Sequence, residues 1–146
     1  VQCGRPRGPT LIADFGREFQ GGLVLNATGR AGDRIKVVAG ELLQPLHTAG
    51  EPEDLISNTW GYSFITTLRD GRQSVVQHNY MLFRHVSLTF LDGAPPVDFA
   101  LGAWGVSYEW VDSDTKFTSS SSTLNHVWRL CADTLRYGVV DTFTDA

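Results

Sequence analysis

Met81-Leu-Phe-Arg-His-Val-Ser-Leu-Thr-Phe-Leu91 alternates along its whole length. Leu82, Val86, Leu88 and Phe90 share one parity with Arg84, and Phe83, His85, Ser87, Thr89 and Leu91 share the other. Successive side chains of a strand point to opposite faces, so this spacing predicts a strand. The first set, Arg84 excepted, is the expected core face. Its neighbours read the same way. Thr10–Phe15 and Gln20–Ala27 are two short strand candidates before a turn at Thr28–Asp33, and Arg34–Leu43 follows with Ile35, Val37 and Ala39 on one face. Val38 falls on the opposite face, which suits a sheet covered over part of its second side. Gln44–Ser57, rich in Pro and acids, reads as a long loop. Asn58–Leu68 then places Trp60, Tyr62, Phe64, Thr66 and Leu68 on one parity. Asp70-Gly71 is a strong turn signal and predicts a hairpin with Gln73–His78 as the partner strand. After a turn at Asp92–Pro96, Val97–Val111 reads as a long apolar strand, with Gly102 and Gly105 marking a bulge or bend.

That makes roughly seven or eight strands with no helical pattern among them, which argues against a parallel α/β fold. The expected fold is mainly β, an antiparallel two-sheet sandwich, followed by one C-terminal helix. The helix is predicted after the serine run, with Ser121 or Ser122 as its cap. Leu124, Val127, Trp128, Cys131 and Leu135 form its apolar stripe, and Gly138 is the expected residue just past its end. Such a stripe needs a partner surface, either a sheet or a further helical domain. The domains expected are 1–115 for the sandwich and 116–146 for the linker and helix.

The chain has 146 residues, 42% of them hydrophobic, which suits one domain with a real core. Twelve basic and 16 acidic residues give a net charge of −4 and no basic stripe, so nucleic acid is a poor partner. No apolar run is long enough for a membrane span. The opening Val-Gln-Cys-Gly-Arg-Pro-Arg-Gly-Pro is not a signal peptide, and secretion stays open. Cys131 is expected as a buried small hydrophobe rather than as the partner of Cys3 in a bridge. The four histidines show no metal-ligand spacing, and neither metal nor cofactor is expected.

Carboxylates and aromatics supply the remaining candidates. Asp141 and Asp145 are spaced i, i+4, but Gly138 and the threonines between them argue against a continuing helix, so spacing alone favours a polar chain end. Glu41, among apolar residues, reads as a structural acid paired with Arg84 or Arg69. Trp60, Tyr108 and Trp110, with Glu109 between the last two, could form a sugar-stacking platform, although the same alternation builds an ordinary strand. Asp14-Phe-Gly16 reads as a strand end with a tight turn, and nothing around it supports a kinase reading.

Several segments together resemble the α-L-rhamnosidases of bacteria and fungi, inverting enzymes with an (α/α)6-barrel catalytic domain preceded by a β-sandwich. Asp14-Phe-Gly-Arg-Glu-Phe-Gln-Gly21 is similar to the family's DFGQN segment. Gly40-Glu-Leu-Leu43 and Tyr80-Met-Leu-Phe-Arg-His-Val86 are similar to two of its strand motifs. Phe117-Thr-Ser-Ser-Ser-Ser-Thr-Leu-Asn125 resembles its F-x-SSDPxLN linker, with Ser121 and Ser122 or Thr123 in place of Asp-Pro. Asp141-Thr-Phe-Thr-Asp145 resembles the stretch leading to its catalytic acid. The resemblance implies a parent enzyme that releases terminal α-L-rhamnose from a glycoside or polysaccharide. In it the sandwich is accessory, Asp145 contacts sugar, and the general acid would stand at position 150, beyond Ala146. It also implies that the Leu124/Trp128/Leu135 face meets a missing helical barrel or another subunit. A secreted or periplasmic protein is favoured over a cytoplasmic one, and these 146 residues alone are expected to carry no catalytic residue. Two alternatives are kept: a free-standing carbohydrate-binding module, and a structural or interaction domain.

Overall fold

A computed structural model describes residues 9–43, 56, 62–93, 95–96, 98–111 and 115–140. The elements are β1 (Thr10–Gly29), β2 (Arg34–Gly40), β3 (Ser63–Thr67), β4 (Gly71–Val76), β5 (Met81–Phe90), β6 (Asp98–Gly105) and α1 (Ser122–Gly138). The chain forms two compact units, Val1–Trp104 and Gly105–Ala146.

The first unit is an antiparallel, curled sheet that encloses its core as a β-sandwich. Its strand order is β3-β2-β5-β1-β4, with β6 also paired to β1. β5 lies between β2 and β1, with Val37 opposite Leu88 on one side and Ala13 opposite Val86 on the other. This central place explains a departure from the sequence reading. Phe83, His85, Ser87 and Thr89, expected on the outer face, are buried together with the predicted core set. Ser87 and Thr89 hold positions where a two-sided core tolerates small polar groups, and the Thr89 hydroxyl meets that of Thr10 at 3.0 Å. In β2, Val38 is buried as well as Ile35, Val37 and Ala39, in keeping with cover on its second face. Leu23, Leu25 and Ala27 of β1 complete the core around Phe83. Each large side chain so buried contributes about 1.5–3 kcal/mol.

Three predicted boundaries are corrected. The segments Thr10–Phe15 and Gln20–Ala27 belong to one strand, β1, interrupted by a bulge rather than a turn. β2 ends at Gly40, although Leu43 still makes an isolated bridge to Ile56. Val97–Val111 shortens to Asp98–Gly105. The rest of the predicted loop Gln44–Ser57 lies outside the described residues.

The predicted Asp70-Gly71 hairpin does not form. β3 pairs with β2, from Arg34 opposite Thr67 to Val38 opposite Ser63. β4 pairs with β1, from Val24 opposite Val76 to Gly29 opposite Gly71. The two strands therefore sit at opposite ends of the strand path, and the connection between them changes sides. It is tied to the β1–β2 turn. Leu68 donates its N–H to Asp33 O at 2.7 Å, Gly32 donates to Leu68 O at 3.1 Å, and Ala31 donates to the Asp70 carboxylate at 2.8 Å. The Asp of the turn signal thus caps a neighbouring turn instead of closing a hairpin.

Candidate functional site

The second unit carries the junction expected from the serine run. Ser121 is the N-cap of α1, with extended dihedrals, and its hydroxyl accepts from the Leu124 N–H at 3.4 Å. One turn further on, Asn125 reaches back over the cap. Its side-chain oxygen accepts from the Ser119 N–H at 2.8 Å and the Ser119 hydroxyl at 3.1 Å, and its amide donates to Ser119 O at 2.9 Å. Ser119 and Asn125 thereby fix the angle at which the linker enters the helix. The spacing of the Ser-Ser-x-x-x-Leu-Asn pattern has a mechanical reason: it brings an amide from the first turn onto the linker backbone. Gly138 is the last helical residue rather than a left-handed residue past the end, and Val139 is the cap, donating to Leu135 O.

The helix uses two faces differently. Trp128, Ala132 and Arg136, at i, i+4 and i+8, turn toward Trp110 and toward Thr115, Lys116, Phe117 and Thr118 of the same unit. Trp128 stacks on Phe117, with ring centroids 6.3 Å apart and planes 20° apart, and the Arg136 guanidinium lies 5.7 Å from the Trp110 ring. Beside that flank the apolar stripe remains open. Leu124 is 53% and Leu135 44% exposed, and no residue of α1 is buried. Cys131, expected to be buried, is an exposed free thiol because it belongs to this uncovered stripe.

Of the predicted sugar contacts, Trp60 and Asp145 lie outside the described residues, as do Asp141 and Cys3. Tyr108 is 66% exposed and its N–H donates to Val139 O at 2.8 Å. Trp110 is half-buried, with Arg136 on its ring. Tyr108 and Trp110 are in irregular chain after β6, not in a strand.

A polar cluster in the sandwich was missed by the sequence reading. The β1–β5 register shifts between Asp14 and Phe19, so that Phe15–Glu18 oppose the single residue Arg84. Gly16, with φ +79°, makes the bulge possible and donates its N–H to the Asp14 carboxylate at 2.7 Å. Arg84 grips the same carboxylate with Nε at 2.8 Å and Nη2 at 2.9 Å. Arg84 therefore pairs with Asp14, not with Glu41 as expected. Two signals pointed to this: a charge that breaks the apolar alternation of β5, and an acid two residues before a glycine in β1. These hydrogen bonds, from Arg84 first and Gly16 second, hold the Asp14 carboxyl well below the usual carboxylate range. His85 Nδ1 is 2.9 Å from Glu41 O, and its Nε2 is 3.6 Å from Asp14. Glu18 is pushed the other way, its carboxyl raised by desolvation and then by the nearby Glu41 charge, and its Oε1 is buried without a hydrogen-bond partner among the described residues. A bidentate ion pair across a bulge locks backbone and offers no nucleophile. Among the described residues no group of His, Cys, Asp and Glu is placed to hold a metal ion, and no helix is long and apolar enough to cross a membrane.

The fold and this junction define a β-sandwich module running into a helical segment. Residues 5–105 match the family model of the bacterial alpha-L-rhamnosidase concanavalin-like domain, and the chain belongs to that family. No curated protein sequence matches it. Three solved structures share the fold. The GH78 family rhamnosidase of Bacillus sp. GL1 aligns with a TM-score of 0.70 and 24% identity, over 94% of this chain and 14% of that one. The rhamnosidase from Klebsiella oxytoca with rhamnose bound gives 0.62 and 19%, over 97% and 29%. The alpha-L-rhamnosidase from Dictyoglumus thermophilum gives 0.62 and 18%, over 100% and 16%. The chain thus spans less than a third of each of these proteins.

Proposed function

We propose that this chain is the accessory β-sandwich and helical junction of a glycoside hydrolase that releases terminal α-L-rhamnose with inversion. The observation that carries the reading is the junction. A family sandwich is followed by a clamped linker and a helix whose apolar stripe lies open. Residues 1–115 brace, and 116–146 begin, a helical catalytic domain that covers the Leu124/Trp128/Leu135 face. Inversion needs one carboxyl group as acid and another as base, about 6.5–9.5 Å apart with a water between them. Asp14 is committed to Arg84, which supports reading the bulge cluster as structural rather than catalytic. Asp145 would contact the sugar once the helical domain surrounds it. The substrate is a rhamnose-bearing glycoside or polysaccharide.

The test is direct. The purified chain is incubated with a chromogenic aryl α-L-rhamnoside, and with the same substrate plus a separately expressed helical domain from the parent reading frame. The chain alone releases nothing. Turnover by the chain alone would refute the accessory role. An inactive parent with an intact acid–base pair would refute the rhamnosidase assignment.

A further inference from the structure

The flank of α1 that turns toward its own linker borders an open groove of about 450 Å³, within the range of small-molecule sites. Its apolar walls are Trp110 on one side and the stacked Phe117 and Trp128 on the other. Arg136 holds Trp110 by its ring, so that wall is fixed from the helix. Lys116, Thr118 and Asp133 stand among the lining residues, adding an ammonium, a hydroxyl and a carboxylate. We infer that this groove is a sugar-binding subsite that takes one pyranose ring of a glycan.

The chemistry selects that ligand. A pyranose has C–H faces that stack on flat aromatic rings and a rim of hydroxyls that both donate and accept. A wholly apolar ligand would strip water from Lys116 and Asp133 and give them nothing in return. Of the charged lining residues, Arg129 donates to Asn125 O and Arg136 lies over the Trp110 ring, which leaves Lys116 and Asp133, one charge of each sign, to meet the hydroxyl rim of a neutral ligand. The groove shares Trp128 with the open stripe, but Arg129, Ala132, Asp133 and Arg136 line it from the adjoining flank, so a domain packed on Leu124 and Leu135 does not need to fill it. In the parent enzyme it would hold a sugar unit away from the reacting bond. That placement, and the choice of rhamnose-bearing probes below, rest on the function proposed above. The binding chemistry does not.

The test uses the 146-residue chain itself, with its four tryptophan indoles as reporters in nitrogen-15 NMR. Methyl α-L-rhamnoside and a rhamnose-containing oligosaccharide are titrated in. The indole signals of Trp110 and Trp128 should shift saturably while that of Trp104 stays in place. Trp110→Leu should weaken binding about tenfold, as expected for truncating an aromatic anchor. Lys116→Ala, at an exposed position that does not threaten the fold, should weaken it about threefold, the value of one hydrogen bond. Absence of any saturable shift overturns the inference, as do shifts confined to other tryptophans or unchanged affinity in both variants. The readout is binding, so hydrolysis by the chain alone would refute the accessory role and leave the subsite standing.

Discussion

Asn125→Ala should loosen the junction without unfolding the helix. The wild-type side chain makes three hydrogen bonds to Ser119, all in a part-buried setting. Each is worth about 0.5–1.5 kcal/mol net, and water access keeps them near the low end, so together they supply about 2 kcal/mol. Alanine returns about 0.5 kcal/mol through its better helix propensity. The net loss is about 1.5 kcal/mol, or roughly tenfold in the equilibrium for local opening. Amide hydrogen exchange reads it: the Ser119 N–H should exchange about tenfold faster. Amides in the middle of α1, which rest on the helix's own ladder, should change little. Asn125→Asp supplies a graded control. It keeps the acceptor for the Ser119 N–H and hydroxyl, loses the donor to Ser119 O, and places a negative charge in the first turn, where the helix dipole favours it. Its exchange rate should fall between the other two. Unchanged Ser119 exchange in Asn125→Ala would refute the clamp, and an equal rise along all of α1 would mean that Asn125 holds the helix rather than its entry.

Other perturbations test the rest. Gly22→Ala would place a Cβ against Gln77 O and 2.6 Å from the Trp104 ring, where Trp104 Nε1 now donates to Gln77 O at 3.1 Å. Overpacking and the strained hydrogen bond should cost about 2–4 kcal/mol, read as a lower urea midpoint with unchanged slope. Gly138→Ala, whose Cβ meets nothing within 4 Å, should instead stabilise α1 by about 0.5–1 kcal/mol. The two carboxyls of the bulge should act on stability with opposite signs. Asp14 is depressed, so its contribution is present above the unfolded carboxylate value and lost as pH falls through the folded one; Asp14→Asn should flatten acid unfolding below about pH 4. Glu18 is raised, so it favours the fold when protonated and loses that contribution as pH rises through its folded value; Glu18→Gln should be more stable than wild type at pH 7, with the gap closing below about pH 4. Leu124→Gln with Leu135→Gln should change the stability read from urea unfolding by less than about 0.5 kcal/mol, because about half of each side chain is already exposed. A large loss would show that the stripe is covered.

The fold class and the helix were readable in the sequence because both rest on local periodicity. Ile35, Val37 and Ala39, and Val86, Leu88 and Phe90, are buried as their spacing predicts. Strand pairing was not readable, because a turn signal reports only where the chain bends. Asp70-Gly71 bends it, but the partners of β3 and β4 are fixed by side-chain complementarity to β2 and β1 at long sequence separation. The bulge was half readable. Gly16 and Arg84 each broke a local rule, but only the three-dimensional register joins Arg84 to Asp14, 70 residues away in sequence. At the junction, Ser121 as cap followed from composition, whereas the hold of Asn125 on Ser119 depends on how the linker folds back over the first turn. The burial of Cys131 was misjudged because an apolar stripe marks a face that wants cover, not one that has it.

The central position of β5 has a consequence for synthesis. β1 and β2 are never neighbours, since β5 separates them, and Thr10 finds its partner only at Thr89. A nascent chain must therefore carry both strands with their inward edges open until β5, roughly eighty residues after Thr10, has left the ribosome. Nearly all pairing in this sheet is non-local, so folding is slow and loop closure is costly. During that interval the exposed apolar strands are a natural target for chaperones; β5 then inserts between them in one late step, and β6 adds to β1 after it.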